Sequence, residues 1–397
     1  MQELQCGFNM SNNRIYLDHA SSKPVLKEVF NFAKPYLIEK FGNPSSLYNL
    51  GLESKSALEE SREKIRDFIN AKDSKNIIFT DNATESNNIA IMGTALRNIN
   101  DGKEILSSSI EHISVINPMK DLQKNGWAYN KIPVDKFGLV NLNKLAKLIS
   151  KETIVTSIMY ANNEIGTIQP IKEISEIVHD KGKYLHVDAS AAIGYLDIDV
   201  QRDDIDLLSF SSNDIYGPRG AGVLYVKPGV KLQSIMPGGG QERGIKSGTE
   251  NIFSIAGMGE ASKIMKNEMK NESKRLELIR DKLIKEISKI DRAFLTGHPK
   301  KRLPGHVSFI FNNIEGESIL LNMDMYNIQI ATGSACSHKT LEPSHVLLEI
   351  GLKHEEAHGS MVMTLGKSNN IDQIPLILKA VNETVERLRK LSPLSNN

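Results

Sequence analysis

Cysteine is nearly absent from this chain, which holds two in 397 residues, Cys6 and Cys336. So few thiols exclude a disulfide framework and a four-cysteine zinc cage, and they suit a reducing cytoplasm. Excess charge of one sign is missing as well: 49 Lys and Arg stand against 48 Asp and Glu, a net charge of +1. That balance argues against a nucleic-acid partner and leaves small molecules and proteins. No apolar run reaches membrane-spanning length, and the opening MQELQCGFNMSNNR lacks the charged-then-apolar order of a signal peptide. The expectation is a cytoplasmic protein with no membrane partner. Internal repeats and low-complexity tracts are also lacking.

What is present is length enough for two or three domains around a cleft. Between about Asn76 and Val226, short β-rich runs (NIIFT, EILSSS, AYNKIPV, IVTSIMY, YLHVD, LLSFSS, GVLYV) alternate with helical patterns. This predicts an α/β domain with a mostly parallel sheet covered by helices on both faces. Ligands of such sheets sit at the carboxyl ends of the strands, which singles out Thr84, His112, Asn163, Asp188 and Ser211. Leu276, Ile279, Leu283 and Ile287 then mark one face of a long helix expected to bridge two domains. HVSFIFN, IQIATGSA and MVMTLG read as strands of a smaller α+β domain. The closing helix has Pro375 near its start and Ile374, Ile377, Val381, Val385 and Leu388 on one face. The boundaries so read are 14–265 for the large domain, with the N-terminal helical segment contributing to the small one, and 266–397 for the small domain.

Several short stretches carry chemistry, each beside a plainer reading. DNATES follows a strand and opens a helix, so its free N–H groups and the Thr84 hydroxyl suit a phosphate, or Asp81 or Thr84 simply caps the helix. Asp188 is a helix cap or a carboxylate that keeps a pyridine nitrogen protonated, as pyridoxal phosphate (PLP) requires. His112 is a satisfied strand-end histidine or a ring that stacks on a planar cofactor and moves protons. Asn163 holds a turn or donates to a ring oxygen. PGGGQERGIKSGTE is not placed as a dinucleotide loop would be. Cys336 lies among small polar residues beside His338 and Lys339, an environment that favours the thiolate and makes it a nucleophile or metal ligand. Two ligands in sequence do not make a zinc site.

Together IYLDHASSKPV, FGNPSS, FTDNATESNN, EHISV, NNEIGT, HVDAS, SFSSNDIYGPRG, GGGQERGIKSGT, EGES, GSACS, LEPS and AHGSMVMTLGK resemble, over nearly the whole chain, the cysteine desulfurases of the NifS/IscS type. These belong to the class-V aminotransferase group of fold-type I PLP enzymes. The resemblance implies a large domain with a seven-stranded mostly parallel sheet, a small C-terminal α+β domain carrying the Cys336 loop, and a homodimer. It also implies L-cysteine as substrate and transfer of its sulfur, as a persulfide on Cys336, to an iron–sulfur scaffold protein. By matched motif, Ala83, Thr84, Ser211 and, from the partner subunit, Thr249 would hold the phosphate. The neighbouring Ser212 and Asn213 fall in the same cofactor segment, Asp188 would face the ring nitrogen, Asn163 the ring oxygen, and His112 would stack on the ring.

The departures fall on the chemistry. Where the family reads S-G-H-K this chain has Ser211, Ser212, Asn213 and Asp214, so the Schiff-base lysine is replaced by a carboxylate. Ala191 stands for a glutamine that binds the ring oxygen, Val362 for the arginine that grips the substrate carboxylate, and Lys246 for another arginine. Aspartate forms no imine and is a weak base. The resemblance leaves two readings. In one, PLP is held noncovalently and desulfurase chemistry is weakened. In the other, the chain is a non-catalytic platform whose Cys336 accepts external sulfide or ligates a [2Fe–2S] cluster with the scaffold.

Overall fold

The computed structural model describes residues 14–333 and 343–391. All seven strand-like runs of the first half fall into one sheet, in the spatial order 77–80, 222–226, 207–211, 184–188, 153–159, 104–108, 128–132. Five neighbouring strands run parallel, and the strand Gly222–Val226 is antiparallel to both of its neighbours. The strands Ile77–Thr80, Glu104–Ser108 and Thr153–Met159 are buried throughout, which is why they read as continuous apolar or small-residue runs and not as alternation. Helices cover the sheet, and their apolar faces close one core with it, among them Ile174, Val178, Leu185, Val187, Leu208 and Phe210.

Chain order reverses between the strands Glu104–Ser108 and Thr153–Met159: the first pairs outward with Ala128–Ile132, and the second continues to the opposite side. A crevice opens at the carboxyl ends of strands at such a switch point, and the segments leaving these two strands carry His112 and Asn163.

A second core surrounds the antiparallel sheet 360–364, 306–311, 293–295 and the closing helix Ile374–Leu391. The predicted strand IQIATGSA contracts to Ile328–Gln329, because its partner is only the two-residue strand Ile15–Tyr16, with one further bridge between Ala331 and Val362. Ile15 and Leu17 lie in this second core, so the segment that follows them passes between the cores. The helix Ile252–Ile287 links the two: Met258, Ala261 and Met265 pack in the first, and Leu276, Ile279, Leu283 and Ile287 in the second. Asn251 caps it by accepting from the Ser254 N–H at 3.2 Å. Gly259 lets it lie against the helix Asn49–Phe68, since a Cβ there would stand 2.8 Å from the Ser61 backbone. Among the described residues, no helix is long and apolar enough to cross a membrane.

Candidate active site

The two cores enclose a cavity of about 490 Å³, within the range of small-molecule and cofactor sites. Thr84, His112, Asn163, Asp188 and Ser211, each following or ending a different strand, all line it. Ala83, Asn213, Asp214, Ala191 and Val362 line it too. Ser212 does not: its hydroxyl is buried without a hydrogen-bond partner and lies against Gly217, because the turn after the strand directs it inward, away from the cavity. Thr249 is exposed and does not line the cavity. Cys336 and Cys6 lie outside the described residues.

The cap of the helix at Ala83 is neither Asp81 nor Thr84. Asn82 accepts from the Glu85 N–H at 2.9 Å, while Asp81 pairs with Lys246 at 2.8 Å. With Asn82 satisfying the third amide, the Ala83 and Thr84 N–H groups have no partner within their helix and remain donors for an anion.

Asp188 ends its strand buried, and its carboxylate accepts from Asn87 Nδ2 at 2.8 Å and from the Ser190 N–H and hydroxyl at 3.0 and 2.6 Å. The same Asn87 amide donates to Ser114 Oγ at 2.9 Å, and Ser114 Oγ lies 2.8 Å from His112 Nδ1. Since Ser114 N–H also points at Nδ1, at 3.2 Å, the ring presents Nδ1 as acceptor and carries its proton on Nε2. Asn87 and Ser114 thus tie the ring of His112 to Asp188. The motifs did not single out Asn87; its spacing of three from Thr84, one face of a helix, is the signal that could have found it.

Asp214 departs from a cofactor lysine in direction as well as chemistry. Its Oδ2 accepts from the Ser211 N–H at 2.7 Å and the Ser211 hydroxyl at 2.9 Å, folding back on its own turn. Burial raises its pKa to about 6, against the lowering effects of Lys23 and the Ser211 donors. Both Ser211 donors that could hold a phosphate are therefore engaged by a carboxylate. Asn213 Oδ1 is engaged as well, accepting from the Lys23 N–H at 3.3 Å.

Lys23 was not singled out in the sequence. It is 7 % exposed, and it is the one lysine or arginine among the described residues lining the cavity, whose lining also includes Asp18, Glu164, Asp188 and Asp214. Glu164 is pushed up to about 7 by burial, offset by the Ser344 hydroxyl that donates to it. Ser344, which follows residues 334–342, is thus held to Glu164, while the Gly333 N–H before them donates to Ser360 Oγ at 2.9 Å. Both ends reach the cavity region, Gly333 lining the cavity itself and Ser344 an adjoining recess with His112 and Asn163. Among the described residues no group of three or more His, Cys, Asp or Glu is arranged to hold a metal.

The aminotransferase class-V family profile matches residues 15–374. Among curated relatives, cysteine desulfurase IscS 1 of Archaeoglobus fulgidus is 51 % identical over 379 residues, covering 96 % of this chain and 99 % of its own. Cysteine desulfurase IscS of Methanosarcina thermophila is 44 % identical, covering 98 % and 96 %. Among solved structures, a NifS-like protein superposes with a TM-score of 0.89 at 32 % identity, covering 95 % of this chain and all of its own.

Proposed function

This chain belongs to the class-V aminotransferase family, within it to the NifS/IscS-type cysteine desulfurases with their fold-type I architecture, and from that premise we propose that it mobilises sulfur from L-cysteine onto Cys336 for iron–sulfur cluster assembly. The observation that carries the proposal is convergence. The side chains at the ends of five strands meet in one cavity, and Gly333 and Ser344, which flank the segment bearing Cys336, line that cavity and its adjoining recess.

The donor set in the cavity fits PLP. Asp188, already accepting from Asn87 and Ser190, would hold the protonated ring nitrogen, and His112, fixed by Ser114, would lie on the ring. The Ala83 and Thr84 amides would take the phosphate, with the partner subunit's Thr249 added in a homodimer. When bound, PLP supplies an electron sink that allows a carbon–sulfur bond to be broken. The protein's own part is electrostatic and protonic. The Asp188 carboxylate favours a positive ring nitrogen, and His112, accepting at Nδ1, has its Nε2–H as a hydrogen-bond donor.

Three residues weaken that chemistry. Asp214 engages the Ser211 donors, Ala191 offers no amide to the ring oxygen, and Val362 leaves the substrate carboxylate without a charged partner on the strand Ser360–Thr364. Loss of a catalytic acid–base group costs about 10²- to 10⁴-fold in rate, so slow turnover is expected. The excess of carboxylates over cations in the cavity favours a second reading, in which Cys336 ligates a cluster, its sulfide supplied from elsewhere, with a scaffold protein. The two are separated by supplying purified protein with PLP and L-cysteine and measuring alanine and Cys336 persulfide, with Cys336→Ser as control. Alanine formed in step with persulfide supports desulfuration. A cluster assembled from iron and sulfide with a scaffold protein and ligated by Cys336, without alanine from cysteine, supports the platform.

A further inference from the structure

The Lys23 side chain lines the cavity with its amine buried. Its Nζ donates to the carbonyl oxygen of Asp214 and stands 4.4 Å from the centroid of the Tyr195 ring and 5.3 Å from that of Tyr216. Its own N–H is held at 3.3 Å by Asn213 Oδ1, which fastens the start of the side chain to the same turn that its tip reaches. Among the described residues Lys23 makes no ion pair with a carboxylate, whereas Lys246, at the other side of the sheet end, pairs with Asp81. The two rings and the carbonyl compensate a buried ammonium in part, and no carboxylate among the described residues completes its shell. Burial lowers the Lys23 pKa to about 8, the Asp214 charge opposing the shift. A substantial fraction of this amine is neutral near physiological pH, and a neutral lysine amine is a nucleophile for carbonyl groups.

We propose that Lys23 is the residue of this chain that binds the aldehyde of PLP covalently, reaching the cavity from the N-terminal segment and not from position 214. The inference rests on the reading that PLP occupies this cavity, and it adds the residue that holds it. The balance is that of a condensation. The Nζ lone pair adds to the aldehyde carbon, a carbon–nitrogen double bond replaces the carbon–oxygen double bond, and the oxygen leaves as water with the two amine hydrogens. Nothing is oxidised or reduced. An incoming cysteine amine displaces Lys23 by the same exchange and returns it as a free amine, beside Tyr195 and Asp214, for the proton transfers that follow. Position explains why this is feasible: Leu17 anchors the N-terminal segment in the second core, while Asn213 and Asp214 hold Lys23 against the first.

The test is to incubate the full-length protein with one equivalent of PLP, reduce with borohydride, digest, and map the pyridoxyl-phosphate adduct by mass spectrometry. Retention of unreduced PLP after gel filtration is measured in parallel. The expected result is retained PLP with the adduct on the peptide containing Lys23, and loss of that adduct in Lys23→Met while some PLP is still retained reversibly. Retained PLP with no adduct, or with the adduct on another lysine, overturns the assignment of Lys23 and leaves the cofactor reading standing. Failure to retain PLP at all overturns both. Because the wild-type map decides the matter alone, the inference stays testable if Lys23→Met does not fold.

Discussion

Lys23 and Asp214, 191 residues apart in sequence, meet at one hydrogen bond, from the lysine ammonium to the aspartate's backbone carbonyl, while the aspartate's carboxylate turns the other way onto Ser211. The cavity therefore has an amine beside position 214 although the residue at 214 is an acid. That arrangement preserves a nucleophile but moves it to another segment of the chain, and it consumes two hydrogen-bond donors in doing so.

Asp214→Ala releases the Ser211 N–H and hydroxyl to the cavity and removes a negative charge. Two hydrogen bonds, each worth on the order of 1 kcal/mol net, correspond to about a tenfold gain or more in affinity for PLP, read by equilibrium dialysis. The lost contacts in the turn cost about 1 kcal/mol of stability. Unchanged PLP affinity would show that Ser211 takes no part in holding the phosphate.

The Asp214 carboxyl also gives stability a pH dependence of defined sign. Its pKa in the fold, about 6, lies above its ordinary value of 3.8, so between those values the native state binds more protons than the unfolded one. Stability from this group is present below about pH 4 and is lost as pH rises through about 6. Glu164, raised to about 7 by burial, and Glu111, raised to about 8 by burial, act in the same direction, but they cancel when wild type is compared with Asp214→Asn. Urea unfolding at pH 4 and pH 7 is predicted to show the variant gaining relative to wild type at the higher pH. A difference independent of pH would contradict the shift.

Asn87→Ala removes the amide that bridges Asp188 and Ser114. A buried carboxylate and a buried hydroxyl each lose a partner, which costs about 1–3 kcal/mol of stability. The Ser114 hydroxyl that contacts His112 loses a donor while His112 keeps both its Ser114 contacts, so a second readout follows: the absorbance of added PLP shifts, since the Asp188 carboxylate loses one of its hydrogen bonds. Stability loss with an unaltered spectrum of bound PLP would assign Asn87 a purely structural part.

Val362→Arg introduces a guanidinium at a buried position lining the cavity. A charge-assisted bond to a carboxylate is worth about 1.5–3 kcal/mol, so the KM for cysteine is predicted to fall about tenfold or more. An unchanged KM in a folded variant would place the substrate carboxylate elsewhere.

Much of the fold was legible because its signals are local. Buried strands read as unbroken apolar runs, and the helix Ile252–Ile287 showed its stripe at Leu276, Ile279, Leu283 and Ile287. The carboxyl-end rule brought Thr84, His112, Asn163, Asp188 and Ser211 together because strands of one parallel sheet end on one side. What was hidden depends on contacts between distant segments or on side-chain direction. Lys23 stands before Pro24 in an irregular stretch with no period to mark it, and only the fold carries it to Asp214. Ser212 turns inward by the geometry of a single tight turn, and Asn82 outcompetes Asp81 as a cap because Lys246 holds Asp81.

The most direct test of the account is a single turnover. Protein loaded with PLP is mixed with substoichiometric, sulfur-labelled L-cysteine, and label on Cys336 and free alanine are quantified over time. The account predicts one alanine for each labelled Cys336, formed slowly, with label transfer abolished in Cys336→Ser and alanine formation suppressed in Lys23→Met. Cysteine recovered intact from PLP-replete wild-type protein would contradict it.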